Sequence, residues 1–330
     1  MSPIEITRWH WIGFILCVLF FLALDLGLFH RRPRAVKFKE ALAWSAVWVA
    51  LSLLFAAGLG HWRGREEAVE FVAGYVIEFS LSLDNLFVIA LIFAYFHVPE
   101  EARHRLLFWG ILGALVMRGA MIALGVTLIQ DFNWILYVLG AFLVFTGVRM
   151  LFAGSAKAQP EQNFAIRLAR RFFPAATDAA SQNHPASPGG MGRFAPTPFL
   201  LVLVLVEITD LIFAVDSIPA VFAVTTKPFI VFTSNVFAIL GLRSLYFVLV
   251  GAINYFRHLK TGLSVVLVFV GAKMLLSPHG HEPKWFQIEI LTSVSLLVVA
   301  GIFLVSIVLS VIAARREKNI KPRMDTDGHG

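Results

Sequence analysis

Long apolar runs alternate with short polar connections along almost the whole chain. Ala41–Gly60 and Ile290–Ala314 carry no charged residue at all, and each reaches the ~20 residues that cross ~30 Å of hydrocarbon as a helix. Nine runs fit the pattern, at roughly 9–29, 41–61, 69–96, 106–129, 132–152, 198–223, 229–256, 261–277 and 287–314. Within hydrocarbon every backbone N–H and C=O must be bonded inside the protein, so such runs are read as helices. The predicted fold class is an all-α polytopic membrane protein with about nine transmembrane helices. The first run lacks a small-residue cleavage pattern and keeps Asp25 in its last turn. It is read as a retained span rather than a removed signal peptide.

Composition strengthens this reading. The chain is 58% hydrophobic and 15% charged over 330 residues, where a soluble domain is nearer 45–50% apolar. The net charge of +7 follows topology and calls for no nucleic-acid partner. Nineteen Lys and Arg fall in one set of connections: residues 31–39, 103–105, 157–193, 257–260 and the tail from Arg315. The other set holds five: Arg8, Arg63, Arg65, Lys227 and Lys284. The positive-inside rule then puts the N-terminus outside and the C-terminus in the cytoplasm. The single cysteine, Cys17, gives neither a disulfide framework nor a thiolate metal site.

The longest connection divides the chain. Residues 174–196 are rich in Pro, Ala, Ser, Gly and Gln and read as a flexible linker. FAIRLARRFF, 164–173, fits either a basic amphipathic helix on the lipid surface or a solvated stop-transfer segment. On either side of the linker stands a repeat. LVFTGVRMLF at 143–152 and LVFVGAKMLL at 267–276 share six of ten residues, with Arg149 on Lys273. Upstream, Arg118 falls near Arg243, and Glu78 and Asp84 match Asp210 and Asp216. Spans three to five thus resemble spans six to eight. A repeat of three spans must lie inverted relative to its mate, the plan of many secondary transporters. The expected organisation is a two-helix extension (1–66), a first repeat (67–153), a cytoplasmic linker (154–196), a second repeat (197–278), and a last helix with a basic tail (279–330).

The chemistry lies in EFSLSLDN, 78–85, inside the third run. A carboxylate at the centre of a membrane helix costs ~2.5–3.5 kcal/mol on insertion scales. This chain has six in or near its spans: Asp25, Glu78, Asp84, Glu207, Asp210 and Asp216. Arg118 and Arg243 could each hold one acid, while Arg149 and Lys273 lie near span ends and can snorkel. Acids then remain in excess, to be neutralised by protons or by a cation. Carboxylates with the Asn85 and Asn235 amides and the Ser217 hydroxyl form an oxygen donor set. Such a set suits hard divalent ions such as Mn²⁺, Mg²⁺ or Ca²⁺. Residues six apart lie about 120° apart on a helix, so Glu78 and Asp84 do not share one small ion. Asp84 and Asp216 are expected as the central pair, with Glu78 and Asp210 as a second layer. Pro219 is expected to kink or open the sixth span just past Asp216. His279 and His281 form a His-x-His in an outer loop. The sequence has no Gly-rich phosphate loop, nucleophile–base set, CxxC pair or Gly-x-Gly-Asp motif, so no enzyme is expected.

EFSLSLDN, LVEITDLIFAVDSIPAVFAVTTKPFIVFTSNVFAILGLRSLYF and GAFLVFTGVRML resemble the TerC family of integral membrane proteins, nearest to its Alx-type branch. The resemblance covers nearly the whole chain. It implies nine spans in the cytoplasmic membrane and an association with manganese efflux and tellurite (tellurium) resistance. It also places the family's motif acids on Glu78, Asp84, Asp210 and Asp216 and its amide on Asn85. The family usually has Lys after the first Glu, where this chain has Phe79, so Glu78 lacks that basic neighbour. The resemblance therefore implies a Mn²⁺ exporter with no permanently bound cofactor, and a carboxylate that takes up a proton when it releases metal makes proton antiport the expected coupling. The alternative is a non-transporting membrane factor that assists protein insertion or scaffolds a stress-resistance complex.

Overall fold

A computed structural model describes residues 6–29, 38–132, 134–152, 198–252, 259–278, 287–288 and 290–320, with the backbone alone at 24–29, 198 and 314–320. The 154–196 linker, His279 and His281 lie outside the described residues. All regular elements described are helices: α1 (Arg8–Phe29), α2 (Phe38–Trp62), α3 (Arg65–Tyr95), α4 (Glu100–Asp131), α5 (Ile135–Phe152), α6 (Pro198–Phe222), α7 (Pro228–Leu240), α8 (Leu242–Gly251), α9 (Leu259–Leu276) and α10 (Thr292–Ile320). Among the described residues, α2, α3, α4, α5, α9 and α10 are each long and apolar enough to cross a membrane. So is the α7–α8 pair, taken as one span bent by 46°.

The helix ends follow from local chemistry. Gly64 turns the chain from α2 into α3 at φ 105°, a conformation that glycine adopts without steric cost. Glu66 and Glu67 open α3, and Glu100 and Glu101 open α4 after Pro99, where carboxylates complement the helix dipole. Pro228 starts α7, a position that needs no N–H.

Helix α3 is the hub. Its membrane-length window is 67% buried, against 22% for α4, α5 and α10. It packs against α2, α6, α7, α8 and α10, while α4 covers α6 and α7. Aromatic rings close the contact of α1 and α2 with α7: Trp11 and Phe14 meet Phe229 and Phe232, and Phe55 meets Phe237. At 31 residues, α3 is about 46 Å long, longer than the ~30 Å hydrocarbon layer.

The most extensive pairing is α5 on α9. A Cβ on Gly140 would fall 3.1 Å from the Gly271 carbonyl, and one on Gly147 would fall 2.8 Å from the Ser264 carbonyl. The two helices therefore run antiparallel with their backbones nearly touching, as small residues permit in lipid. Gly271→Leu forces them apart. It is expected to lower the thermal midpoint by at least the equivalent of about 1–3 kcal/mol of overpacking, read by unfolding in detergent.

The connections assigned to one side by charge do meet. Lys227 Nζ lies 3.1 Å from Glu70 and 3.6 Å from Glu67, joining the turns before α3 and α7. Gln287 donates to the Tyr137 hydroxyl at 2.8 Å. At the opposite end His104 Nδ1 meets Arg243 Nη2 at 3.3 Å.

Helix α6 is not opened at Pro219 and continues to Phe222, and a break between helices falls at Gly241. Pro219 sits in the last turn of α6, where a missing N–H removes one bond close to an end that frays anyway. At Gly241 the Ser244 hydroxyl and the Leu245 N–H both bond the Gly241 carbonyl, restarting the helix on a new axis.

Candidate functional site

A buried polar knot joins α3, α4 and α6. Arg118 of α4, 1% exposed, turns its guanidinium edge-on to Asp210 of α6. Nε donates to Oδ2 at 3.1 Å and Nη2 to Oδ1 at 3.0 Å. Nη1 reaches the Ser217 hydroxyl at 3.3 Å and also pairs with Glu78 of α3. The Asn85 amide donates to Asp210 Oδ1 at 2.5 Å. One guanidinium thus holds two carboxylates, and bidentate pairing makes such contacts strong. If both acids are ionised, the knot carries one net negative charge in a place where charge is costly.

Helical periodicity explains the membership. Seven residues are nearly two turns, so Glu78 and Asn85 share a face of α3, and Asp210 and Ser217 share a face of α6. Sequence reading missed this acid-plus-neutral-oxygen spacing, which would have identified the inward face. Phe79 turns away from that face and sets its ring against Tyr75 at 5.8 Å. The cation of Glu78 is Arg118, from another helix.

Several oxygens around the knot lack hydrogen-bond partners among the described residues: Glu78 Oε2, Ser82 Oγ and Asn85 Oδ1. Both amide atoms of Asn235 on α7, 1% exposed, are equally unmatched. Its neighbour Ser234 abuts Gly74, one turn before Glu78 on α3. Leaving a buried donor or acceptor unmatched costs about 1–3 kcal/mol, so Glu78, Ser82 and Asn85, close together on α3, form a polar stretch that packing alone does not satisfy. No group of three or more His, Cys, Asp or Glu among the described residues is arranged to hold a metal. The knot itself contributes two carboxylates, Glu78 and Asp210, and both pair with Arg118.

The remaining candidates lie outside the knot. Asp84 is half-buried, with Lys260 at the start of α9 as its charged neighbour. Asp216 is half-buried and bonded to the Thr146 hydroxyl of α5. The pair drawn onto the Arg118 guanidinium is therefore Glu78 and Asp210, while Asp84 and Asp216 face other partners. Both separations follow from the 120° offset on each helix. Glu207 lays its carboxylate against Gly113 of α4, with Asp210 as its charged neighbour. Arg243 is buried beside His104, and Lys273 is buried with Glu70 as its charged neighbour. The side chain of Asp25 lies outside the described residues.

The comparisons with known proteins agree with this architecture. Residues 63–318 match the model of the Integral membrane protein TerC family. An "Uncharacterized membrane protein STKORF319" of Myxococcus xanthus is 49% identical over 317 residues, covering 96% of this chain and 95% of its own. A protein of Escherichia coli strain K12, named "Putative membrane-bound redox modulator Alx", is 46% identical over 309 residues, covering 91% and 93%. A membrane protein of Rickettsia bellii is 33% identical over 293 residues, covering 89% and 95%. No solved structure matches. The chain belongs to the TerC family of integral membrane proteins.

Proposed function

We propose that the protein exports Mn²⁺ from the cytoplasm, in exchange for protons, through the knot of Glu78, Asn85, Asp210 and Ser217. One observation carries the reading: two buried carboxylates share a single internal cation and are ringed by unmatched oxygen donors. In this reading Arg118 is the stand-in for the transported ion. When Mn²⁺ enters, Glu78 and Asp210 exchange the guanidinium for the metal, and the amide oxygens of Asn85 and Asn235 complete an oxygen shell. A hard ion of this size accepts such a shell, and soft metals prefer sulfur or imidazole. Asp84 and Asp216, half-buried on either side, serve as access steps.

Topology supports transport by alternating access. Adding α1 and α6 to the apolar helices, with α7–α8 as one, gives nine crossings. The Gly140–Gly271 contact has Gly147–Ser264 as its counterpart, and a shift of 124 residues carries one pair into the other. A two-fold axis in the membrane plane produces that reciprocity, and inverted repeats put the substrate where the halves meet. The basic connections then face the cytoplasm of the inner membrane, and the Lys227–Glu70 end faces outward.

The redox role in the relatives' name finds no dithiol here, since Cys17 is the chain's only cysteine. Cells expressing the wild type are expected to accumulate less manganese than cells expressing Asp84→Asn or Asp216→Asn, measured by elemental analysis. Equal manganese in wild-type and vector-only cells under manganese load would instead support the non-transporting role.

A further inference from the structure

The knot leaves one buried charge without a task. Lys273 is 6% exposed, three residues before the end of α9. It lines a cavity of about 10 Å³ whose other walls are Ala73, Ile77, Val224, Val270, Ser295, Leu296 and Val299. That space is about one water. Among the described residues its amine makes no ion pair within 4.0 Å. The cavity walls come from α3, the turn after α6, α9 itself and α10, and among the described residues Glu70 of α3 is the charged neighbour of the amine. Glu70 already accepts from the Thr225 hydroxyl at 2.8 Å and from Lys227 at 3.1 Å.

A lysine held this way differs from one in a structural pair. Its ammonium has lost water without gaining a dedicated carboxylate, and burial of that kind disfavours the charged form of a lysine. Its location is equally specific. Ala73 and Ile77 fill the two turns of α3 between Glu70 at the outer end and Glu78 in the knot.

Resting on the transport reading above, we infer that Lys273 is the proton carrier of the exchange. When the knot holds a divalent cation, the nearby amine is neutral, because a third and fourth positive charge in one dry region is unfavourable. When the metal leaves outward, the amine takes one proton from the outer water by way of Glu70. When the next metal arrives from the cytoplasm, the amine releases that proton to water on the cytoplasmic side, so one proton moves inward for each metal that moves outward. One N–H bond forms and breaks per cycle, and no electrons move.

The test uses the full chain in liposomes loaded with a pH-sensitive dye, with a Mn²⁺ gradient imposed and both Mn²⁺ and proton movement recorded. The wild type is expected to move protons against Mn²⁺, and an opposing pH gradient is expected to drive Mn²⁺ uphill. Lys273→Met keeps the volume. It is expected to pass Mn²⁺ downhill only, with proton flux at the protein-free baseline and no dependence of Mn²⁺ flux on pH. Lys273→Arg fixes the charge and is expected to slow Mn²⁺ flux at every pH, again with a flat profile. Thermal midpoints at or above that of the wild type show that Lys273→Met is folded. Coupled proton movement surviving in Lys273→Met would overturn the assignment of Lys273 and leave transport standing. Absence of Mn²⁺ flux in the wild type would overturn both.

Discussion

Arg118→Ala is expected to lower the unfolding free energy by about 3–5 kcal/mol in metal-free buffer, the usual cost of removing one member of a buried ion pair. Here the loss falls on two acids, because Glu78 and Asp210 share that one guanidinium. The stand-in role adds a second expectation. Mn²⁺ supplies the missing positive charge, so it should raise the thermal midpoint of Arg118→Ala more than that of the wild type. A ligand at 100 times its dissociation constant stabilises by about 2.7 kcal/mol, enough to recover much of the loss. A purely structural arginine would give the first effect without the second. Thermal unfolding of both proteins with and without Mn²⁺ separates the two.

Glu78→Gln and Asp210→Asn are expected to abolish export while leaving the protein folded. Each variant leaves Arg118 one carboxylate, so the guanidinium is still paired, and the net negative charge of the knot falls to zero. A Mn²⁺ ion entering there would meet a site with no charge to compensate its own. Mutating even the outer partners of metal ligands costs 10–100-fold, so removing a ligand should cost at least about 100-fold in flux. Asp84→Asn and Asp216→Asn, in the flanking layer, should slow export less. Reversed ranking of the two layers in a flux assay would return Asp84 and Asp216 to the centre.

The acids were legible because residue type alone gives them away: a carboxylate in an apolar run has few structural excuses. Their grouping was not legible, since it depends on which face of α3 and α6 turns inward. The 120° offset says that Glu78 and Asp84 must part, and Asp210 and Asp216 likewise, without saying which of each pair goes in. The neutral partners seven residues on, Asn85 and Ser217, break that tie, because an amide or hydroxyl in a dry interior needs a polar neighbour. That Arg118 would take two acids and Arg243 would meet His104 depends on contacts between different helices, distant in sequence. The bend at Gly241 has no comparable local signal, since it lies where α7 meets Trp48 of α2, a contact made only in the folded protein.

The central claim is that oxygens gathered by α3 and α6 around Arg118 bind a divalent cation. Mn²⁺ is paramagnetic, so its electron paramagnetic resonance signal reports binding to purified protein without any transport assay. The wild type is expected to immobilise Mn²⁺ at a saturable site, and Glu78→Gln/Asp210→Asn is expected to leave that Mn²⁺ free. Equal binding by the two proteins, or none by the wild type, would contradict the account.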